Sequence, residues 1–449
     1  MKKKALIIPS GSRSHVLPTF FLANILSQDY EITYAVTDRI LEESVRKNGF
    51  NTYHISKYKV GYGFEEIFIQ EYKQKVTFFS LLKSYLSNEL YWNRKKEIDR
   101  LLEKVEPDII IIDVFNCTDF LFLHSNYTNR KVFFYNPMPS ICKVDGYPTV
   151  SDNIWIKNVN IVNVSEGVRF LDFVRYPQKT LLKWVSERQI HSLLKLSKIP
   201  DKYGVMENKL TAIAFNNVPE VLLLPIEFEF SPSVKRDNQY YLGLCQLENR
   251  KDIEVDDVFE SKWQCILGKK QEGKRIIYCS FGTYFDKADP MFLDFINILL
   301  TAIKDIHDIF LICSVNKYVS QVIISKNKVL NDVIFFSRVP QLKVLEIADL
   351  YITHGGLGGI KESIFYKVPM LVYPLCLQND QTGNGLKVEH HGIGLRGNFK
   401  HERASEMSEK IVKLLEDKNY QSKITGFSNN TNELYTLEYC KNLLNKVLT

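Results

Sequence analysis

Residues 349–363, DLYITHGGLGGIKES, set four glycines and a histidine between a short apolar run and a segment of helical character. Glycine loses more backbone freedom on folding than any other residue, so this concentration requires a reason. A strand that ends in such a corner and passes into a helix belongs at the carboxyl edge of a parallel sheet. There a starting helix offers unpaired N–H groups and the positive end of its dipole. Gly355, Gly356, Gly358 and Gly359 let the backbone approach an anion such as a phosphate, and His354 can donate a hydrogen bond to it. The other reading is a glycine-rich turn that only packs a helix against its strand. The dinucleotide fingerprint G-x-G-x-x-G fails, because Lys361 takes the third glycine position, and the chain contains no Walker A sequence.

The surroundings repeat the strand-to-helix alternation. ALIIP, YEITYAVT, PDIIIIDVF and KVFFYNP in the first half are short, apolar on both faces and separated by helical-period segments, as strands inside a parallel sheet are. After a break around residues 231–252 the alternation restarts with RIIYCSFG, DIFLICSV, DVIFFSRVP, DLYITH and VPMLVYPL. The expectation is α/β, with two Rossmann-like units in tandem. The first runs over residues 1–235, a linker over 236–265, the second unit over 266–430, and a terminal helix over 431–449 packs back on the first. Residues 61–104 and 150–215 read as helix-rich insertions that supply pocket walls.

At 449 residues the chain is long enough for two cores. A formal charge of +6 is small for that length and gives no reason to expect nucleic acid. The eight cysteines form no C-x-x-C pair and no regular spacing, which argues against a zinc site and a disulfide framework, so reduced cytoplasmic thiols are the simplest reading. The N-terminal apolar run stops at Pro9, short of the roughly 7–15 residues of a signal-peptide core, and reads as a strand. No stretch approaches the ~18 apolar residues of a spanning helix.

In IIPSGSRSHVLPTFFLANIL the first strand ends near Pro9 and a helix is expected from Leu17 or Pro18, which leaves His15 in a loop at the carboxyl edge of the first sheet. A solvated loop histidine is the alternative to a catalytic one. Asp113 ends another apolar strand, either as the partner of His15 or as a cap for the next helix. Together the two make a general base: an imidazole takes a hydroxyl proton while a carboxylate on its other nitrogen fixes the tautomer.

The text from residue 339 to 395, VPQLKVLEIADLYITHGGLGGIKESIFYKVPMLVYPLCLQNDQTGNGLKVEHHGIGL, resembles the donor-binding signature of the UDP-glycosyltransferases, inverting enzymes of GT-B fold. The resemblance implies two Rossmann-like domains whose parallel sheets face each other across a cleft. It further implies that Arg338, Val339 and Gln341 lie at the uracil and ribose, and that Glu362 accepts hydrogen bonds from the ribose hydroxyls. His354, Gly356 and the N–H groups of Gly358 and Gly359 would meet the diphosphate. Asp380, Gln381 and Asn384 would hold the transferred sugar. A second loop, Ser280, Gly282 and Thr283, would approach the β-phosphate, although that tripeptide also reads as an ordinary strand-to-turn transition. His15 stands where the family has its catalytic histidine and Asp113 where it has the orienting aspartate. The chain departs from the pattern in three places: Arg338 where many relatives have tryptophan, Gly358-Gly359 where Asn-Ser is common, and a longer loop from Pro374 to Asp380.

The function so implied is transfer of a hexose from a UDP-sugar to a hydroxyl of a lipophilic small molecule or lipid. No cofactor is expected, and no metal, since the chain has no Asp-x-Asp sequence. A UDP-sugar epimerase and a non-catalytic nucleotide-sugar-binding protein are the alternatives. His390-His391 reads as a pair at a helix C-terminus interacting with the dipole. Residues 169–198, with Arg169, Arg175, Lys179, Lys183, Arg188, Lys195 and Lys198 among apolar residues, read as a helix with one packed face and solvated charges, or as a peripheral membrane contact.

Overall fold

A computed structural model describes residues 2–73, 75–125, 130–141, 146–148, 150, 176–208, 211–231, 235–282, 289–326, 332–375 and 380–448. Its first sheet contains β1 (Lys3–Ile8), β2 (Tyr30–Val36), β3 (Asn51–His54), β4 (Ile109–Asp113) and β5 (Lys131–Asn136). A small antiparallel hairpin follows, β6 (Val205–Asn208) with β7 (Ala212–Phe215), and then β8 (Glu220–Leu222) and β9 (Gln239–Tyr241) complete the sheet. The order is β3-β2-β1-β4-β5-β8-β9 and every pairing is parallel. All five residues of β4 are buried, as an unbroken isoleucine run between two helical layers must be.

The second sheet contains β10 (Arg275–Ser280), β11 (Ile309–Ser314), β12 (Val333–Phe336), β13 (Leu350–Thr353), β14 (Met370–Val372) and β15 (Gly394–Arg396). It is again all parallel, in the order β12-β11-β10-β13-β14-β15. In each sheet the winding reverses beside the first strand, between β1 and β4 and between β10 and β13. At such a switch point the loops leave a crevice beyond the strand ends, which is where open α/β sheets bind ligands. The register aligns the two candidate segments with these points. Ile8 pairs with Ile112, so the chain after Pro9 runs beside Asp113, and Ser280 pairs with Thr353, so Gly282 comes out beside His354.

The first sheet reaches past residue 235 to include β9, and the helix Phe259–Gln271 packs Phe259, Trp263 and Ile266 into the second core, within the stretch whose composition reads as linker. The apolar pattern of those segments, not their charge, decides where they go. The last helix, Leu437–Leu448, buries Cys440, Leu444 and Val447 against Ala5, Ile7 and Ile111 of the first domain. Polar contacts join the halves as well. The Lys361 ammonium, itself buried, donates to the Leu223 carbonyl, Lys387 Nζ is 3.3 Å from Glu229, and the Ile226 N–H donates to Tyr435 Oη at 3.0 Å.

Of the basic segment, the structure describes the helix Pro177–Ser197, which buries Thr180, Val185, Gln189, Ile190 and Leu193 along one face. That is the packed-face arrangement, and the Arg188 guanidinium covers the Trp184 ring at 4.2 Å. Arg169 and Arg175 lie outside the described residues. Among the described residues no helix is long and apolar enough to cross a membrane, and six cysteines are free.

Candidate functional site

His15 sits in a single helical turn, Arg13–Val16, rather than in the extended loop that the sequence suggests before Pro18. The turn aims the imidazole at the end of β4. His15 Nδ1 lies 2.7 Å from Asp113 Oδ2, and the ring packs edge-on to Phe115 at 4.9 Å. Asp113 is fully buried. It also accepts from the Ser10 N–H at 3.0 Å and from the Phe115 N–H at 2.8 Å, so it caps the following turn and faces the histidine at once. Burial acts to raise its pKa, and the His15 charge and hydrogen bond, Lys59 and the Phe115 N–H outweigh burial, leaving the carboxyl below its ordinary value. The pairing fixes the His15 tautomer with Nδ1 toward the carboxylate and leaves Nε2 for a proton in transit.

The glycine corner opens the helix Leu357–Phe365, with Gly356 at its N-cap and no side chain capping it. Its first amides are therefore donors without an intrahelical partner. A Cβ at Gly356 would overlap His354 Nε2, and one at Gly359 would overlap Tyr351 Oη, whereas a Cβ at Gly358 would meet no atom within 4 Å. Gly356 and Gly359 are thus required by packing, and Gly358 faces open space. Burial pulls the His354 pKa down to about 4, so the ring is neutral, and its buried Nδ1 has no hydrogen-bond partner among the described residues. Ser280 Oγ accepts from the Gly282 N–H at 3.4 Å; Thr283 lies outside the described residues.

Where the resemblance puts the nucleoside, Glu362 holds a partner on each oxygen: Arg250 Nη1 at 2.6 Å and Gln341 Nε2 at 2.5 Å. Arg250 comes from the segment between the domains, and nothing in its local sequence, LENRKD, distinguishes it from a surface basic residue. Arg338, expected at the base, approaches Glu254 at 3.5 Å. Glu254 also pairs with Arg13, two residues before His15. Val339 is buried in the second core.

At the other end of the crevice Asp380 precedes the helix Gln381–His390. Asn384 Nδ2 donates to Asp380 Oδ2 and to the Gly355 carbonyl, each at 2.9 Å, so it ties this segment to the glycine corner. Gln381 Oε1 accepts from the Leu375 N–H at 2.9 Å. Burial raises the Asp380 pKa, opposed by Asn384 and by the charge of His15 from the first domain. The candidate base and the candidate sugar-binding carboxylate therefore face one another across the crevice. His391 differs from the dipole reading. Its Nε2 lies 3.1 Å from the Phe228 carbonyl, and burial pulls its pKa down to about 4, so it carries no charge for the helix dipole to attract.

A cavity of about 510 Å³ lies in the first domain among Gly63, Glu66, Tyr85, Tyr176, Lys183 and Ser186, a lining of mixed polarity. The residue before Gly63, Tyr62, has its hydroxyl 4.0 Å from Cys117 in the turn after Asp113. Among the described residues no group of three or more His, Cys, Asp or Glu side chains is placed to hold a metal ion.

A family model described as UDP-glucoronosyl and UDP-glucosyl transferase matches residues 276–432. An uncharacterized UDP-glucosyltransferase of Bacillus subtilis, YdhE, is 25% identical over 201 residues, 44% of this chain and 46% of its own. The oleandomycin glycosyltransferase of Streptomyces antibioticus is 24% identical over 184 residues, 41% of this chain and 38% of its own. The chain spans about half the length of the curated relatives it matches, or less. Among solved structures, the glycotransferase of kitacinnamycin superposes with a TM-score of 0.69 at 17% identity over 100% of both chains. The calicheamicin glycosyltransferase CalG4 does so with a TM-score of 0.64 at 13% identity, over 100% of this chain and 99% of its own. The two facing parallel-sheet domains are accordingly the GT-B fold, and the domain that carries the glycine corner matches the UDP-glucoronosyl and UDP-glucosyl transferase family model.

Proposed function

We propose that the protein is an inverting glycosyltransferase that moves a hexose from a UDP-sugar to a hydroxyl of a lipophilic small molecule or lipid. The observation that carries this reading is the 2.7 Å His15–Asp113 pair at the first sheet's switch point, within electrostatic reach of Asp380 in the second domain. In this reading His15 Nε2 takes the proton of the acceptor hydroxyl as its oxygen attacks the anomeric carbon. The bond to the diphosphate breaks on the opposite face, UDP leaves with the electron pair, and the anomeric configuration inverts. Asp113 stabilises the imidazolium that forms.

Charge gathering on the departing diphosphate meets the amides at the start of the Leu357–Phe365 helix, its dipole and a neutral His354 N–H, an electrostatic role that calls for no divalent cation. The orphaned His354 Nδ1 and the open side of Gly358 fit an anion at that corner. The mixed lining of the first-domain cavity fits an acceptor with a polar group on an apolar body.

The test is a panel of UDP-sugars with hydroxyl acceptors, read by mass for the glycoside and by NMR for its anomeric configuration. An inverted glycoside formed at the same rate with a chelator present is the expected result. A retained configuration, or conversion of the UDP-sugar to its epimer without an acceptor, would overturn the proposal.

A further inference from the structure

The segment after β3 brings a lysine to the back of the His15–Asp113 pair. Lys59 Nζ donates to Ser10 Oγ at 2.6 Å, the Ser10 N–H donates to Asp113 Oδ2 at 3.0 Å, and that oxygen faces His15 Nδ1 at 2.7 Å. The ammonium also lies 5.6 Å from the centre of the Phe115 ring, whose neighbour is His15, and 5.7 Å from that of Tyr62. The chain Lys59–Ser10–Asp113–His15 thus draws on three separate strand ends.

The charged and titratable groups around Lys59 are Asp113, Cys117 and Asp119 at and after β4, Tyr62 on its own segment and Arg94 from the helix Glu89–Val105. Asp380 faces His15 from the second domain. Asp119 is already held by Arg94 through bonds of 3.1 and 2.8 Å, and Arg94 also pairs with Glu97 at 2.9 Å. Asp113 is therefore the carboxylate left for Lys59 to balance. Burial pulls the Lys59 pKa below its ordinary value, and the Asp113 and Asp119 charges offset only part of that cost.

We propose that Lys59 is a positioning residue of the transfer reaction: through Ser10 it sets the loop that orients Asp113 against His15, and its charge stands behind the pair that handles the proton. The inference rests on the reading of His15 as general base.

The experiment compares wild type with Lys59→Met, Lys59→Gln and Lys59→Arg for the acid limb of the kcat/KM profile, donor KM and thermal unfolding, with His15→Ala in the same assay. Loss of the charge moves the acid limb up by roughly one pH unit, the size expected for a single nearby charge. Turnover at neutral pH falls several-fold, donor KM does not change, and Lys59→Arg restores the wild-type limb. Lys59→Gln keeps a donor for Ser10, so it reads the charge even where the methionine variant folds poorly. An acid limb unmoved in the glutamine variant, with His15→Ala inactive, overturns the role of Lys59 and leaves the base assignment standing. Full activity in His15→Ala overturns both.

Discussion

The carboxylate of Glu362 is held from both sides, by Arg250 at 2.6 Å and by Gln341 at 2.5 Å, although Arg250 and Glu362 are 112 residues apart. Burial works against the Arg250 charge, and Glu362 and Asp252 more than compensate, so its pKa stands above the ordinary arginine value. A ribose hydroxyl would meet an acceptor whose orientation is fixed in advance.

Arg250→Met should therefore act on stability and on nucleotide binding together. Removing one partner from a buried pair leaves the other uncompensated, a loss of about 3–5 kcal/mol by denaturant unfolding. Glu362→Gln keeps the shape of the acceptor and should weaken UDP by about 1–3 kcal/mol in calorimetry. Unchanged UDP affinity in Glu362→Gln would remove Glu362 from the donor site.

Two adjacent glycines separate packing from binding at the glycine corner. A Cβ at Gly359 would stand 2.9 Å from Tyr351 Oη, so Gly359→Ala should lower stability by about 1–3 kcal/mol through overpacking. At Gly358 a Cβ meets nothing within 4 Å and alanine is the better helix former, so Gly358→Ala should hold stability or raise it by up to about 1 kcal/mol. If the open side receives the diphosphate, UDP affinity falls in Gly358→Ala. Equal UDP binding by wild type and Gly358→Ala would mean that the anion sits elsewhere.

This corner was legible in the sequence because its composition is abnormal: no packing argument alone asks for Gly355, Gly356, Gly358 and Gly359 together. Asp113 was legible because a buried isoleucine run can end in an aspartate only where that carboxylate has partners, here His15, Ser10 and Phe115. Arg250, Lys59 and Glu254 were not legible. Each acts on groups brought near by the chain's return from another strand or domain, and local pattern carries no trace of that. The same holds for the approach of Arg338 to Glu254.

Two buried histidines contribute to the loss of stability in acid. Burial holds His354 and His391 at about 4, against about 6.5 for an unfolded histidine. Between those values the unfolded chain binds protons that the folded one refuses, so stability is full above pH 6.5 and falls as pH drops toward 4, by at most about 3 kcal/mol per site. His391→Asn, which keeps a donor for the Phe228 carbonyl, should flatten part of this decline in unfolding curves between pH 7.5 and 4.5. An equally steep loss in the variant would show that His391 is protonated in the folded state.

Asp380 should read the sugar and not the nucleotide. It is tied to Gly355 through Asn384 and lies within reach of the His15 charge. Asp380→Ala should weaken UDP-glucose while leaving UDP nearly unchanged. Equal weakening of both ligands would make the residue a prop for the glycine corner.

The enzymatic reading depends on the pair that joins the ends of β1 and β4. If His15 is the base and the donor binds against the other sheet, His15→Ala should lower turnover by roughly 10²–10⁴ with donor binding nearly unchanged. Asp113→Asn is the sharper probe. Asp113 holds the Ser10 and Phe115 N–H groups on separate oxygens, so an amide keeps only one of these bonds, at a cost of about 1–3 kcal/mol of stability, and it can neither stabilise the imidazolium nor enforce the tautomer with Nδ1 protonated, so activity should fall far more than stability. Acceptors with acidic hydroxyls, such as nitrophenols, surrender their proton with less help and should lose less rate in both variants. A His15→Ala protein that glycosylates a weakly acidic alcohol at the native rate would show that the proton leaves by another route, and the 2.7 Å pair would then be a structural contact at the switch point.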